Sequence, residues 1–295
     1  MESKNLITKE TALNLLPQRP SDANKGTFGK VLNIAGCLDY QGAAYLSSAT
    51  PLKVGAGLVT LATTENVINN LASNAPWITF YKLRDYQNKY IASDAFTELK
   101  NIITGYTVVS IGPGLSTEPA VMAFVDEFIK YINKTETKVV IDADALNIIA
   151  KLEIQKLPQE SVITPHPKEL SRLLNIPVEE IQKDRIKYAK QSSEKFGCTT
   201  VLKGSGTVIC TPDFEIFINT SGNSAMSKAG SGDVLTGIIS GLISQGLSIK
   251  EASLLGVYLH GLCGDLAKID LSEYCVMATD LIDYIPKAIK FIKGE

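Results

Sequence analysis

The sequence predicts an α/β fold with a central, mostly parallel sheet covered by helices on both faces. Short apolar strand patterns, such as Val108–Ile111 and Val139–Ile141, alternate along the chain with amphipathic helical patterns such as Ala120–Ile132. Strands separated by helices pair in parallel, and such sheets are buried on both faces. Glycine-rich or acidic turns follow several strands, and ligands of such folds bind just beyond the strand ends. The chemistry is therefore expected at that edge of the sheet.

The elements follow from the period of the apolar residues, which is near 2 for strands and 3.6 for helices. Pro17 ends the first helix, and the turn Thr211-Pro212-Asp213 joins the strands of a hairpin. The predicted strands are Lys30–Ala35, Leu58–Ala62, Trp77–Tyr81, Val108–Ile111, Val139–Ile141, Ser161–Thr164, Thr199–Lys203, Thr207–Cys210 and Glu215–Asn219. The predicted helices are 8–16, Gly42–Lys53, Glu65–Ala72, Asp94–Ile103, Ala120–Ile132, Ala145–Ala150, Lys168–Leu174, Val178–Phe196, Asp233–Ser244, Lys250–Ala267 and Asp280–Ile292.

Composition favours one large soluble α/β domain over residues 1–295. The chain is 45% hydrophobic and 20% charged, and it contains no low-complexity linker, charge block or internal repeat. A net charge of −2 gives no sign of electrostatic capture of nucleic acid.

The compartment is predicted to be the cytoplasm. The N-terminal stretch lacks the long apolar run and small-residue cleavage site of a signal peptide, and no apolar run is long enough to span a bilayer. The five cysteines are scattered without Cys-x-x-Cys spacing, so we expect reduced and mostly buried thiols.

The stretch Asn223–Gly241, NSAMSKAGSGDVLTGIISG, is the strongest candidate for a functional site. Gly230 and Gly232 precede the carboxylate of Asp233, and an apolar helix follows at once. Free N–H groups at a helix start, after a glycine-rich turn, bind anions. A carboxylate beside an anion site suits a base that takes a proton from a hydroxyl attacking phosphate. The alternative is an Asp that caps the helix after a flexible loop.

Other polar stretches come directly after predicted strands. Gly112-Pro113-Gly114 forms either a ligand-binding turn or a plain one, and Asp144 in the IDADAL stretch could simply cap the next helix. His166, between Pro165 and Pro167, favours a functional role, although Glu169 three residues later can close a capping arrangement with it. His260 and Asp265 are interpreted as helix residues and not as ligands.

Lys203-Gly204-Ser205-Gly206-Thr207 suits phosphate or adenine contacts through its backbone and hydroxyls. It is not a P-loop, because the lysine precedes the glycines. The Rossmann dinucleotide fingerprint is missing, since Gly55-Ala56-Gly57 precedes a strand, and there is no Gly-x-Ser-x-Gly elbow. Hydrolases and standard dehydrogenases are therefore disfavoured.

Taken in order, these motifs resemble the ADP/ATP-dependent NAD(P)H-hydrate dehydratases of the ribokinase-like superfamily. The motifs are KGTFGKVLNIAG, QGAAYLSSATPLKVGAGLVTLAT, IGPGL, IDADALN, TPHPKEL, VLKGSGTVI and the glycine loop, and they extend from about Leu15 to the last helix. The resemblance implies a ribokinase-like fold and a metabolite-repair enzyme. Such an enzyme phosphorylates the hydroxyl of (S)-hydrated NADH or NADPH with ADP or ATP and then eliminates phosphate.

The resemblance also assigns roles to residues of this sequence. Asp233 would be the base, and the amides of Gly230–Gly232 would stabilise the moving phosphoryl group. Glu169 matches the acidic residue of the superfamily's Asn-x-x-Glu magnesium motif, with His166 in the Asn position. Substrate contacts would come from Ala43, Gly114, His166 and Asp233. Nucleotide contacts would come from Lys203, Gly204, Ser205, Gly206, Thr207 and Gly232.

The cofactors implied by the resemblance are ADP or ATP and Mg²⁺, and the implied assembly is a homotetramer. Small-residue apolar helices also fit a homo-oligomer. Three alternatives remain: a hydroxyl kinase of the same superfamily, such as a hydroxyethylthiazole or pyridoxine kinase; a non-catalytic nucleotide-binding module; and a redox enzyme that binds intact NADH. A kinase would release a phosphorylated product, whereas a dehydratase restores reduced nicotinamide.

Overall fold

The computed structural model describes residues 5–295 and contains twelve strands within that range. The first four residues of the predicted domain lie outside the described part. The strands are β1 (Asn5–Ile7), β2 (Lys30–Ile34), β3 (Leu58–Thr63), β4 (Thr79–Lys82), β5 (Asp85–Tyr86), β6 (Tyr90–Ile91), β7 (Val108–Ile111), β8 (Lys138–Ile141), β9 (Ser161–Ile163), β10 (Thr199–Leu202), β11 (Val208–Cys210) and β12 (Ile216–Asn219).

Helices separate most of these strands, as the alternating pattern predicted. They are α1 (Lys9–Leu15), α2 (Gln41–Val54), α3 (Glu65–Leu71), α4 (Phe96–Leu99), α5 (Pro119–Ile132), α6 (Ala143–Lys151), α7 (Pro167–Leu174), α8 (Val178–Lys183), α9 (Arg185–Phe196), α10 (Ser231–Ser244), α11 (Ile249–Leu271), α12 (Ala278–Asp283) and α13 (Ile285–Lys293).

One ten-stranded sheet runs through the molecule in the order β1-β12-β11-β10-β9-β8-β7-β2-β3-β4. Every neighbouring pair is parallel except the two that involve β11. The mostly parallel sheet is therefore confirmed. Its strand order reverses between β2 and β7, because the chain moves outward from β2 through β3 to β4 and then returns to β7. Crevices that bind ligands form at such switch points.

Helices cover both faces of the sheet, because successive residues of each strand point in opposite directions. Leu32, Val109 and Val139 belong to the hydrophobic cluster under α5, α6 and α9. Val31, Val108 and Val140 belong to the cluster under α10 and α11. Burial on both faces explains why the central strands read as continuous apolar runs.

Two predicted helices are each broken into two. The predicted helix 178–196 stops at Asp184, whose backbone leaves the helical region (φ −144°, ψ 77°) and whose side chain caps α9 by accepting from Lys187 N. The predicted helix 280–292 is interrupted at Tyr284, before α13 begins with Pro286 in its first turn. Pro lacks the N–H that a continuous helix needs, so a restart is favoured there.

Three further regions differ from the prediction. The predicted helix 94–103 contains only α4 and flanking 3₁₀ turns, and the run of β-branched residues from Ile102 to Thr104 lowers helix propensity there. The short strand β1 and the hairpin of β5 with β6 were missed, because two or three residues are too few to show a period.

The cysteine prediction is confirmed for four thiols. Cys37, Cys198, Cys210 and Cys263 are buried, whereas Cys275 is exposed, and the structure contains no disulfide between these residues. Within residues 5–295, no helix has the length and apolar character needed to cross a membrane.

Helix α10 packs unusually close to α2, and glycines on α10 allow this approach. A Cβ built on Gly237 would lie 2.5 Å from Thr50 Cβ, and one built on Gly241 would lie 2.4 Å from Val54 Cγ1 and 2.8 Å from Pro51 Cα. These distances are too short for any side chain, so the small residues hold α10 at a fixed distance from α2.

Replacing Gly241 by Ala is expected to lower the free energy of unfolding by about 1–3 kcal/mol, because the added methyl group overpacks this contact. Chemical denaturation measures the change. Gly42→Ala in α2 is the matched control, since its added Cβ meets nothing within 4 Å and Ala favours helix. A Gly241→Ala protein as stable as the Gly42→Ala protein would contradict this account of the packing.

Candidate functional site

The carboxyl ends of four adjacent strands bring together the stretches singled out in the sequence. Gly112–Gly114 follows β7, Asp142 follows β8, His166 lies shortly after β9 and Lys203 follows β10. The first turn of α10 reaches the same edge, because a Cβ built on Gly232 would lie 3.3 Å from Lys203 Nζ. Residues far apart in sequence thus form one site.

A cavity of about 720 Å³ opens at this edge between β10, the loop after β12 and the helices α10 and α11. Four of the five residues of the predicted turn 203–207 line it, together with Gly232 and His166, whereas Gly206 and Asp233 do not. Its volume lies in the range of sites for small molecules and cofactors. The other polar or charged lining residues are Asn219, Ser221, Asn223, Ser224, Ser227, Lys228, Ser231 and His260.

Lys203 lies between two carboxylates. Its Nζ is 2.8 Å from Asp142 Oδ1 and 3.8 Å from Glu169 Oε2. Burial alone would lower the pKa of Lys203, but the negative charges of Asp142 and Glu169 raise it above its ordinary value. The side chain therefore carries a fixed positive charge at the cavity wall.

Asp142 is only 1% exposed, and it is held by Lys203 and by a hydroxyl of α10. Thr236 Oγ1 donates to its Oδ2 at 2.7 Å. Burial would raise the pKa of Asp142, but the charge of Lys203 and the hydrogen bonds it accepts lower the pKa below its usual range. The sequence drew attention to Asp144 as a cap, and this was wrong, because α6 begins at Ala143 and Asp144 accepts from Ser116 N instead.

Asp233 lies in the first turn of α10 and is half-buried. Its carboxylate makes no hydrogen bond or ion pair with any residue in the range 5–295. Burial raises its pKa to about 7, with a further contribution from the charge of Asp142. A carboxylate of that pKa, free of partners, is suited to accept a proton near neutral pH.

The first turn of α10 has amides available for an anion. Gly230 has a φ of 89°, and the chain enters the helix directly after it. Among the described residues, the N–H groups of Gly230, Gly232 and Asp233 donate to no backbone or side-chain oxygen. Free amides at the start of a helix of 14 residues can bind an anion.

His166 and Glu169 form the capping arrangement that was the alternative interpretation. His166 Nδ1 accepts from the backbone N–H groups of Lys168 and Glu169, and Glu169 Oε2 accepts from His166 N at 2.7 Å. Burial and the charge of Lys203 lower the pKa of His166 to about 4, so its ring is neutral. Burial raises the pKa of Glu169 to about 7.

Glu169 is poorly placed to hold a metal ion directly. One carboxylate oxygen caps α7, and the other lies 3.3 Å from His166 Nε2. Over residues 5–295, no three His, Cys, Asp or Glu side chains are grouped so as to hold a metal ion. The donor set does not fit an Mg²⁺ ion held by protein ligands alone.

Arg185 supports the turn 203–207, and sequence reasoning missed it. Its guanidinium donates to Leu202 O at 2.7 Å and to Gly206 O at 3.2 Å, and also to Ser205 O. A Cβ on Gly204, whose φ is 146°, would lie 2.9 Å from that guanidinium. The absence of a side chain at Gly204 therefore allows the Arg185 guanidinium to pack against the turn and stabilise it. No local sequence signal reveals this contact.

Ala43 and Gly114 meet at the switch point between β2 and β7. A Cβ on Gly114 would lie 2.7 Å from Tyr40 O and 2.9 Å from Ala43 Cβ. Gly36 N donates to Pro113 O at 2.8 Å across the same gap. These two residues, which share a predicted role in substrate binding, are thus in contact, and the cavity at Lys203 lies on the other side of Asp142.

His260 and Asp265 lie in α11 as expected, but both also hold the loop that lines the cavity. His260 Nε2 lies 2.9 Å from Ser231 O, and burial lowers its pKa to about 4, so the neutral ring donates this bond. Asp265 accepts from Gly222 N at 2.9 Å and from Asn223 Nδ2 at 2.8 Å. Helix α11 therefore positions both ends of the loop from Gly222 to Ser231.

Comparison of the sequence with known families gives a match over most of the chain. The model of the family described as NAD(P)H-hydrate dehydratase matches residues 31–287. The bifunctional NAD(P)H-hydrate repair enzyme of Moorella thermoacetica is 38% identical over 99% of this chain, which spans 55% of that enzyme. The ADP-dependent (S)-NAD(P)H-hydrate dehydratase of Bacillus subtilis is 36% identical over 96% of this chain and 97% of its own length. The chain thus spans about half of the first relative and nearly all of the second.

Solved structures show the same fold. The ADP/ATP-dependent NAD(P)H-hydrate dehydratase of Bacillus subtilis, co-crystallized with ATP/Mg²⁺, aligns with a TM-score of 0.86 at 33% identity, covering 99% of this chain and 100% of that one. A ribokinase-like superfamily protein of Enterococcus faecalis aligns with a TM-score of 0.85 at 28% identity, covering 98% and 96%. The predicted ribokinase-like fold is confirmed.

Proposed function

The chain belongs to the NAD(P)H-hydrate dehydratase family, and we propose that it repairs the (S)-hydrates of NADH and NADPH with ADP or ATP as phosphoryl donor. The free carboxylate of Asp233, beside unpaired amides of the first turn of α10, is the observation that supports this most strongly. A base and an anion site are the parts that phosphoryl transfer to a hydroxyl needs.

The proposed reaction has two steps. Asp233 takes the proton of the hydrate hydroxyl while the hydroxyl oxygen attacks the terminal phosphoryl group of the nucleotide. The leaving group is AMP when ADP is the donor and ADP when ATP is the donor. The phosphate group then leaves the nicotinamide ring with the electron pair of the carbon–oxygen bond, while the lone pair of the ring nitrogen forms a C=N bond. The neighbouring ring carbon loses a proton to solvent, and the electrons of that C–H bond form the ring double bond and return the lone pair to nitrogen. The products are reduced nicotinamide and inorganic phosphate.

The cavity beside Lys203 supports the proposed nucleotide position. Lys203, Gly204, Ser205 and Thr207 line it, and Lys203 supplies a fixed positive charge where it approaches Gly232. Gly206 does not line the cavity, and we propose that it acts through the shape of the turn, since its φ is 60°. Phosphates lying between the ammonium and the first turn of α10 would meet two anion-stabilising features at once.

The reversal of strand order between β2 and β7 supports the proposed position of the hydrated dinucleotide, since ligands of such folds bind at this point. Ala43 and Gly114 pack against each other there, and both are partly exposed to solvent. We propose that Asp233 acts where the two ligands meet, because the first turn of α10, which carries it, reaches the edge of the sheet beside Lys203. His166 lines the cavity, so it would contact the dinucleotide only where that ligand extends from the switch point to the cavity.

We further propose a single domain, a cytoplasmic location and a homotetramer. One continuous sheet supports the single domain. Ile269, Tyr274 and Met277 are 78%, 79% and 60% exposed, which is unusual for large apolar side chains and supports contacts between copies. Light scattering of the purified protein tests the homotetramer, and a monomer would contradict it.

We propose that any Mg²⁺ is bound through the phosphates of the nucleotide.

Incubation of the protein with (S)-hydrated NADH and ADP tests the proposed function. We expect recovery of the absorbance of reduced nicotinamide together with equal amounts of inorganic phosphate and AMP. A stable phosphorylated product without recovered absorbance would instead indicate a hydroxyl kinase, and nucleotide binding without turnover would indicate a binding module.

The pH dependence of kcat/KM is expected to follow the ionisation of Asp233. Because burial raises its pKa to about 7 and the base must be ionised, kcat/KM should fall about tenfold per pH unit below 7 and level off above it. His166 and His260, with pKa values of about 4, do not titrate in this range. Glu169→Gln is the control, since Glu169 also has a pKa of about 7. If the fall of kcat/KM below pH 7 disappears in Glu169→Gln, the ionising group is Glu169 and not Asp233.

A further inference from the structure

We propose that Asp142 is a positioning residue for phosphoryl transfer, because its carboxylate holds the Lys203 ammonium against the first turn of α10. This inference rests on the proposed position of the nucleotide phosphates beside Lys203 and Gly232. Asp142 does not line the cavity, so it would act through Lys203 and not through contact with a ligand.

Both oxygens of Asp142 are bonded to elements that carry proposed phosphate contacts. Oδ1 lies 2.8 Å from Lys203 Nζ at the end of β10, and Oδ2 accepts from Thr236 Oγ1 at 2.7 Å. Thr236 is fully buried and lies three residues after Asp233 in α10. One carboxylate thus fixes the distance between the lysine and the helix start that carries the base.

Lys203 needs such a partner, because its long side chain has another carboxylate within reach. Glu169 Oε2 lies 3.8 Å from its Nζ, and no atom of Glu169 comes within 4 Å of a Cβ built on Gly232 in α10. Without the charge of Asp142, the ammonium would pair with Glu169 and leave the start of α10. A shift of about 1 Å in a charge that stabilises a transition state can cost on the order of 10²-fold in rate.

A purely structural role for this carboxylate as a helix cap is not supported by the contacts. Asp142 occupies the N-cap position of α6, but its side chain makes no capping hydrogen bond. The contact to the helix comes from its backbone, since Ala145 N donates to Asp142 O at 3.2 Å. An Asn at this position keeps the backbone contact and the side-chain shape while removing the charge that holds Lys203.

Asp142→Asn is therefore expected to lower kcat by about 10- to 100-fold with (S)-hydrated NADH and ADP, while KM for ADP changes by less than about threefold. Thr236→Val removes the second bond to the carboxylate and is expected to lower kcat less. Thr236→Ser keeps the hydroxyl, so its kcat should lie between Thr236→Val and the unaltered protein. A role confined to folding would change the unfolding temperature without this order in kcat.

A folded Asp142→Asn protein with unchanged kcat would overturn the inference, as would a rise in KM for ADP without a fall in kcat. If Asp142→Asn does not fold, equal kcat values for Thr236→Val and Thr236→Ser would overturn it instead. An unaltered protein that turns over hydrate with neither ADP nor ATP would overturn the proposed function as well. An active unaltered protein with an equally active Asp142→Asn variant would overturn this inference alone.

Discussion

Asp233→Asn is expected to lower kcat for (S)-hydrated NADH with ADP by about 10²–10⁴-fold, the usual contribution of a positioned general base. The amide has nearly the same size but cannot take the hydroxyl proton. Because the loss is in proton transfer, KM for ADP should change little. A coupled record of reduced-nicotinamide absorbance and phosphate release measures both quantities.

The same variant should be at least as stable as the unaltered protein at pH 8. The folded pKa of Asp233 is raised to about 7, so any stability from this group is present below its unfolded pKa and is lost as pH rises through 7. Asn removes the burial of an unpaired charge. Asp126→Asn, which alters an exposed ion pair with Lys130 on α5, is the control for general effects of the substitution. Near-full activity of a folded Asp233→Asn protein would show that another group is the base.

Lys203→Met is expected to lower both stability and activity strongly. The change leaves Asp142 and Glu169 buried without their cation, and an unpaired buried charge costs about 3–5 kcal/mol. Loss of a charged group beside the transferring phosphoryl should lower kcat/KM for ADP by about 10²–10³-fold. Urea unfolding and steady-state kinetics measure the two effects.

The difference in free energy of unfolding between the unaltered protein and Lys203→Met should decrease as pH falls. In the unaltered protein the pKa of Asp142 is lowered, so the stability it contributes is present above its unfolded pKa and fades at acid pH. In the variant, burial favours the neutral acid, which relieves the unpaired charge. Lys183→Met removes an ion pair of 2.6 Å with Glu180 whose side chains are 70% and 48% exposed, and it should lower stability far less than Lys203→Met does, because solvent screens the pair. Equal losses in both variants at pH 8 would contradict the account of the buried network.

The sequence was sufficient to predict the α/β architecture and the position of the site. Strand and helix periods are local, and ligands of parallel sheets bind at one edge, so His166 and Lys203, which follow strands, were expected at the same edge. Only the family resemblance brought Asp233 to them. The capping bonds of His166 and Glu169 are also local, since they span three residues. The interpretation of His166 and Glu169 as a capping pair could therefore be stated from their spacing alone.

Contacts between distant residues could not be predicted. Asp142 and Lys203 are 61 residues apart, and Asp142 and Thr236 are 94 apart. A carboxylate at a strand end looks the same in sequence whether it caps a helix or holds a lysine. Arg185 likewise resembles any surface residue of a charged helix, although it bonds to backbone oxygens 17 to 21 residues away.

The fate of the hydrate's hydroxyl oxygen tests the central claim most directly. (S)-hydrated NADH carrying ¹⁸O in that hydroxyl group would be incubated with the protein and ADP, and the released phosphate analysed by mass. Transfer of a phosphoryl group to the hydroxyl, with Asp233 as base, predicts one ¹⁸O atom in each phosphate. Label found in water, with unlabelled phosphate, would mean that the hydroxyl leaves without being phosphorylated and would contradict the account.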